Sequence, residues 1–136
     1  MPVTEEALNH FNDVALHAAT QKTTWYLGLI SSVDYSALAV GDTLASHAGW
    51  TELTAYTGDR KEWTEGASAA GVITNAVGVD FTMNDTFTAK GAFLCSVASG
   101  TDGVLLATWL FDGGDESGVS GNILRIFATN TLDQAA

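Results

Sequence analysis

Three histidines, one cysteine and an acidic glycine-rich loop are the residues of this chain whose types could carry chemistry. His10 and His17 stand seven apart. On a helix that spacing places them on one face two turns apart, whereas a helical metal pair uses a spacing of three or four. They read as surface or interface histidines. His47 lies in "ASHAGWTEL", Ala45 to Leu53, beside Ser46 and shortly before Trp50. Adjacency to a serine is not the geometry of a nucleophile and its base. Neither a G-x-S-x-G elbow nor an H-E-x-x-H pair occurs. Cys95, the only cysteine, excludes an intramolecular disulfide and reads as a small buried hydrophobe within "GAFLCSVA". Asp112, Asp115 and Glu116 in "DGGDESG" offer oxygen ligands to a hard cation. They lack the alternation and distal Glu of an EF-hand loop, so a solvated turn is the better reading. Asp80 and Asp85 are equally weak as ligands. The same loop has the wrong spacing and charge to cradle phosphate. No catalytic residue, metal or cofactor is therefore expected, and the chain reads as a non-enzyme.

The aromatic residues are the stronger signal. In "GDRKEWTEG", Gly58 to Gly66, Arg60 and Lys61 neighbour Trp63. A cation over an exposed indole contributes about 0.5–1 kcal/mol. Together with Trp50 and Tyr56 this group reads either as a sugar-stacking platform or as a set of pins holding loops to the body. The second reading is preferred, and the two differ in exposure: a platform needs all three rings in solvent.

Composition narrows the partners. The chain has 136 residues, which fits one domain, with 46% hydrophobic and 15% charged residues against a usual charged share of about 25%. The formal charge is −11, and the five basic residues form no patch beyond Arg60–Lys61. Such a surface repels phosphate and anionic lipid, which disfavours nucleic acid and membrane and leaves a protein, a sugar or a cation. No apolar run approaches the ~20 residues that span a bilayer, and "MPVTEEALNH" lacks the basic-then-apolar pattern of a signal peptide.

The elements that must hold these residues divide at residue 22. Residues 1–22 read as a helical arm: Thr4 is the N-cap, Glu5 and Glu6 favour the first turn, and Leu8, Phe11, Ala15 and Ala18 make an apolar stripe. Such a helix is marginal alone and must dock on its own domain or on a neighbour. Residues 23–136 read as strands. "TTWYLGLIS" and "GWTELTAYT" flank a loop rich in Ala, Ser and Gly. "VGVDFT" turns Val77, Val79 and Phe81 to one face. "TFTAKGAFLCSVA" puts Phe87, Ala89, Phe93, Cys95 and Val97 on one face. "GVLLATWLF" is apolar on both faces, the mark of a central strand or of one covered by a partner. "NILRIFAT" alternates less cleanly. Asp102-Gly103 is a hairpin signal. The expected fold is mainly β: an antiparallel β-sandwich, jelly-roll or immunoglobulin-like, with a short N-terminal helix.

"TTWYLGLIS" followed by "YSALAVGDTLASHAGWTELTAY", then "EWTEGASAAGVITN" and "KGAFLCS" in the same order, resembles small virion structural proteins of tailed bacteriophages. The resemblance covers roughly Leu8 to Val97 and fades through the last third. It implies a head decoration (cement) or minor capsid role on the outer surface of the virion head, with the major capsid protein as partner and self-association as a homotrimer. It carries no catalytic residue. It also implies that Trp50 anchors a long loop and that His47 donates a hydrogen bond within it. Leu8, Phe11, Trp50, Trp63 and Trp109 are the candidate partner-contact residues. The rival is a cell- or glycan-adhesion module on the head or tail, resting on Trp50, Tyr56 and Trp63.

Overall fold

The computed structural model describes residues 3–131; positions 132–136 of the expected β domain and the first two of the expected arm lie outside the described residues. One helix, α1 (Glu5–Leu16), precedes ten strands: β1 (Tyr26–Ser31), β2 (Glu52–Leu53), β3 (Lys61–Glu62), β4 (Val72–Thr74), β5 (Val79–Thr82), β6 (Phe87–Cys95), β7 (Leu105–Leu110), β8 (Glu116–Gly118), β9 (Ile123–Ile126) and β10 (Thr129–Thr131). The fold is mainly β and antiparallel, sandwich-like rather than a closed barrel.

β1 and β6 are the spine of a six-stranded sheet. β2 and β3 each pair with one half of β1, and β7 and β8 each pair with one half of β6. The other layer consists of two ribbons, β5–β9 and β4–β10. Between the sheet and the β5–β9 ribbon lies the larger core, which holds Leu27, Leu29, Leu94 and Leu106 with Phe81 and Ile126. The sheet's opposite face carries Ile30, Phe93, Cys95 and Leu105, covered by Leu44 and Trp50 from the long loop after β1. Both faces are thus dry, which is why β1, the second half of β6 and the first half of β7 read as near-continuous apolar runs. The double apolarity of "GVLLATWLF" is therefore satisfied within the chain as far as Thr108, without a partner.

Two features depart from the alternation read along the sequence. In β6, Ile30 pairs with Gly91 and Ser31 with Ala89, so Lys90 is an extra residue in the ladder. A bulge reverses the side-chain parity beyond it. Phe87 and Ala89 consequently face the ribbon core, and Phe93 and Cys95 face the loop core. A shared face for these four is thus corrected. In β5 the expected inward set holds for Val79 and Phe81, but Val77 precedes the strand and is exposed. The β6–β7 turn also differs. Its left-handed residue is Gly100, and a longer loop is closed by Ser96 and Val104 through a main-chain bond of 3.0 Å and a side-chain bond of 2.8 Å.

The helix docks on its own sheet. Thr4 is the N-cap, its Oγ1 accepting from the Ala7 amide at 3.2 Å, and the same hydroxyl donates to the Leu105 carbonyl. The Thr4 amide donates to Leu106 O at 3.0 Å, Val3 bridges Ala107, and Glu6 Oε2 accepts from the Leu105 amide at 2.8 Å. The N-terminal segment therefore occupies the outer edge of β7, which blunts an edge that would otherwise recruit another strand. The buried face of α1 is set by Thr4 and Ala7, with Phe11 packed against the core. Leu8 and Leu16 point outward, and Ala15 and Ala18 are exposed. The expected stripe is thus rotated by about one position, because the Thr4 bonds to β7 fix the helix's roll.

Candidate functional site

Trp50, at 2% exposure, is in the core. Its Nε1–H donates to Asp42 Oδ2 at 3.0 Å, and its ring meets Phe93 with centroids 5.1 Å apart. The Phe93 ring in turn lies over Gly28, its cross-strand partner, where a Cβ would overlap it. His47 stacks on the Trp50 indole at 3.8 Å and 17°, and its Nδ1–H donates to the Trp50 carbonyl at 2.9 Å. Asp42 Oδ2 also accepts from the Ala39 amide, so one carboxylate ties the loop's own backbone to the buried indole. His47 and Trp50 form a loop anchor. Among the described residues no serine, threonine or cysteine side chain is hydrogen-bonded to the histidine.

Tyr56 and Trp63 are buried as well. Tyr56 packs edge-on against Phe81 with centroids 4.8 Å apart, and burial pushes its phenol pKa well above the ordinary range, with Glu52 adding to the effect. Trp63 Nε1 donates to Asn75 Oδ1 at 3.0 Å. Arg60 and Lys61 do not lie over Trp63. Arg60 sits over Phe93 at 5.3 Å and Lys61 over Tyr56 at 5.6 Å. Arg60 grips Glu52 with two bonds, at 2.9 and 2.7 Å, and donates to the Val97 and Gly100 carbonyls. A recess of about 210 Å³ opens beside this clamp, but the guanidinium fork is spent on its own chain and ties β2 to the β6–β7 loop. Trp50 and Trp63 are thereby removed from the candidate contact residues, because their indoles are interior. The platform of Trp50, Tyr56 and Trp63 does not exist at the surface.

Cys95 is fully buried, with its thiol directed at the Val97 carbonyl at 3.2 Å, and burial raises its pKa. A thiol without water or thiolate character is inert. The native protein is therefore expected to leave an aromatic disulfide reagent unreacted over a period in which the urea-unfolded chain reacts fully, as followed by thiolate absorbance. His10 is half-buried near Phe11 and Trp25, while His17 caps the end of α1. In the acidic loop, Asp115 pairs with Lys90 at 3.1 Å. Among the described residues no three of His, Cys, Asp and Glu converge as a metal group.

What remains open is a corner where the end of β7 meets β9. Along β9, Leu124 and Ile126 turn inward, while Ile123 and Phe127 on the other parity are 62% and 59% exposed. Arg125 lies between them and holds Asp80 across the ribbon in a two-bond pair, at 2.6 and 2.8 Å. That bond lowers the Asp80 pKa, so the pair's support is complete at neutral pH and is lost as pH falls through the depressed carboxyl value. Gly78 supplies the flat floor on which Arg125 and Phe127 lie, since a Cβ there would overlap the arginine stem. Trp109, Phe111, Leu124 and Phe127 line a groove of about 470 Å³ with Glu116 at its rim. A neighbouring recess of about 250 Å³ shares Trp109 and Phe127 and adds Leu110 and Asp112. Aromatic anchors inside a polar rim are the anatomy of a protein-docking surface. Of the residues singled out from sequence, Trp109 lies in this corner. Leu8 is exposed on α1, apart from it, and Phe11 is half-buried against the segment before β1. No protein-family model matches the chain, and no curated protein matches it.

Proposed function

We propose that this chain is a capsid decoration protein, a passive clamp that binds the outer surface of a phage head lattice as a homotrimer and stabilises the shell. The observation that carries the docking half of this reading is the aromatic corner of Trp109 and Phe127, an exposed apolar groove on an otherwise acidic surface. The shell as its target rests on the resemblance of the segments from Leu8 to Val97 to virion structural proteins. A protein that binds only the assembled lattice stabilises it by mass action and needs no active site. An acidic body suits a position away from packaged DNA, whose phosphates it repels. The body is rigid where such a role needs it: the long loop, the helix and the β6–β7 turn are each tied to the sheet by buried side chains. The adhesion alternative loses its three stacking rings to the core.

The test is a paired one. Phe127→Ser removes an exposed ring, so its unfolding midpoint should stay within about 0.5 kcal/mol of the parent. Loss of an aromatic anchor should weaken attachment to isolated heads by about 2 kcal/mol or more, roughly 30-fold, in a sedimentation assay. Heads stripped of the protein should rupture at lower temperature. If the protein is absent from purified heads, or stripped heads are equally stable, the cement reading fails.

A further inference from the structure

We infer that the occupant of the Trp109–Phe127 corner is an apolar protein segment flanked by lysine or arginine, supplied by a different protein rather than by a second copy of this chain. The inference rests on the reading of the corner as a docking face and adds the chemistry of the partner. The charges at the rim carry it. The corner's own cation, Arg125, is engaged by both carboxylate oxygens of Asp80. Lys90, the residue after Ala89, which pairs with Glu116, is held by Asp115 at 3.1 Å. Glu116 at the groove and Asp112 at the adjoining recess are exposed and have no cation within the described residues. The apolar floor is thus bordered by two uncompensated carboxylates on a chain whose formal charge is −11. A second copy packed corner to corner would bring the same rim carboxylates to the contact, and like charges brought together at an interface oppose binding there, whereas self-association through another face is untouched by this. A partner with cations beside its apolar residues meets both features of the corner at once.

The prediction separates the corner from the protein's overall acidity. The probe is a pair of bead surfaces, one carrying benzyl groups beside quaternary amines and the other carrying benzyl groups beside carboxylates. The parent should be retained on the first and not on the second, with retention falling as salt rises, since exposed charge pairs are screened. Neutralising the rim with Asp112→Asn and Glu116→Gln together should weaken retention on the amine beads by roughly 2–5-fold per carboxylate. Asp59→Asn with Glu62→Gln changes the net charge equally at a distant exposed site and should have little effect. Phe127→Ser should abolish the preference for benzyl-amine beads over plain amine beads. Equal losses from the two double variants would mean that only net charge matters and would overturn the proposal. So would an ultracentrifuge result in which the parent self-associates and Phe127→Ser makes it monomeric, because the occupant would then be a second copy. No phage head enters this test, so it can fail while the cement reading stands, and it can succeed on a protein that never decorates a head.

Discussion

Trp50→Ala is expected to cost about 3–5 kcal/mol of unfolding free energy, the range for deleting a large buried aromatic, and to shift the urea midpoint by a large part of its value. Three losses coincide. The cavity opens against Phe93 and Leu44 in the smaller core. Asp42, itself nearly buried, loses the indole N–H while still bonded to the Ala39 amide. His47 loses the ring it stacks on. Trp50→Phe separates the contributions: it keeps most of the apolar volume and removes the donor, so it should cost about 1–3 kcal/mol, the penalty for stranding a buried polar partner. If Trp50→Ala unfolds within about 1 kcal/mol of the parent, the loop is not anchored as described. The damage should also be local. Hydrogen exchange should accelerate first in residues 32–50, which are held mainly by this anchor, before it does in β5–β9.

Asn75→Ala should be nearly as severe, although it removes few atoms. Asn75 is 2% exposed, and its amide makes four bonds: one to Trp63, two to the Ile126–Ala128 segment and one to Val77 in its own segment. Oδ1 accepts from Trp63 Nε1 at 3.0 Å and from the Ala128 amide at 2.8 Å, while Nδ2 donates to the Val77 carbonyl at 2.9 Å and the Ile126 carbonyl at 3.2 Å. Alanine leaves the Trp63 indole N–H, the Ala128 amide and the Ile126 carbonyl unpaired in a buried site, and the expected loss is about 2–5 kcal/mol. Asn75→Asp is a sharper probe. A carboxylate keeps both acceptors but cannot donate, so it would face two carbonyl oxygens while charged. Burial and those oxygens should raise its folded pKa above the unfolded value. The neutral acid is then the form the folded state prefers. The variant should therefore approach the parent's stability below the unfolded carboxyl pKa of about 4 and lose ground as pH rises through the folded value. Denaturant titrations of both proteins from pH 3 to pH 7, on the order of one curve per pH unit, would show it. A gap between them that stays constant with pH would mean that Asn75 acts only through packing.

Much of the fold was legible because it is written in local chemistry. The N-cap at Thr4 needed only a hydroxyl followed by two acids. The strand character of β1, β5, β6 and β7 followed from β-branched and aromatic runs, and the inward Val79 and Phe81 followed from alternation. Cys95 was readable as buried because its whole segment is apolar. Trp50 as a loop pin was the preferred of several readings of the aromatic residues, and its burial in the tertiary structure decided among them. The candidate site was legible only in part. Trp109 belongs to it, but Leu110, Phe111, Ile123 and Phe127 were missed. A signal existed: "NILRIFAT" is apolar on both parities, and in a two-stranded ribbon with one covered face the second apolar parity must face outward. Asn75 gave no signal, since a lone Asn between short strands reads as a turn.

What the sequence determined by itself is the helix, the longer strands β1, β5, β6, β7 and β9, and the acidic balance of −11 with only five basic residues, whereas the short strands β3, β4, β8 and β10 left no local pattern to read. Tertiary structure alone decided which face each aromatic occupies. The extra residue at Lys90 inverts β6, and a one-residue shift in a strand exchanges its faces without changing its composition. The β7 edge, which reads as a place for a partner, is filled by the chain's own Val3 and Thr4, about a hundred residues away in sequence. Burial is a property of what comes to rest against a side chain, and the residues that do so here are almost all distant along the chain.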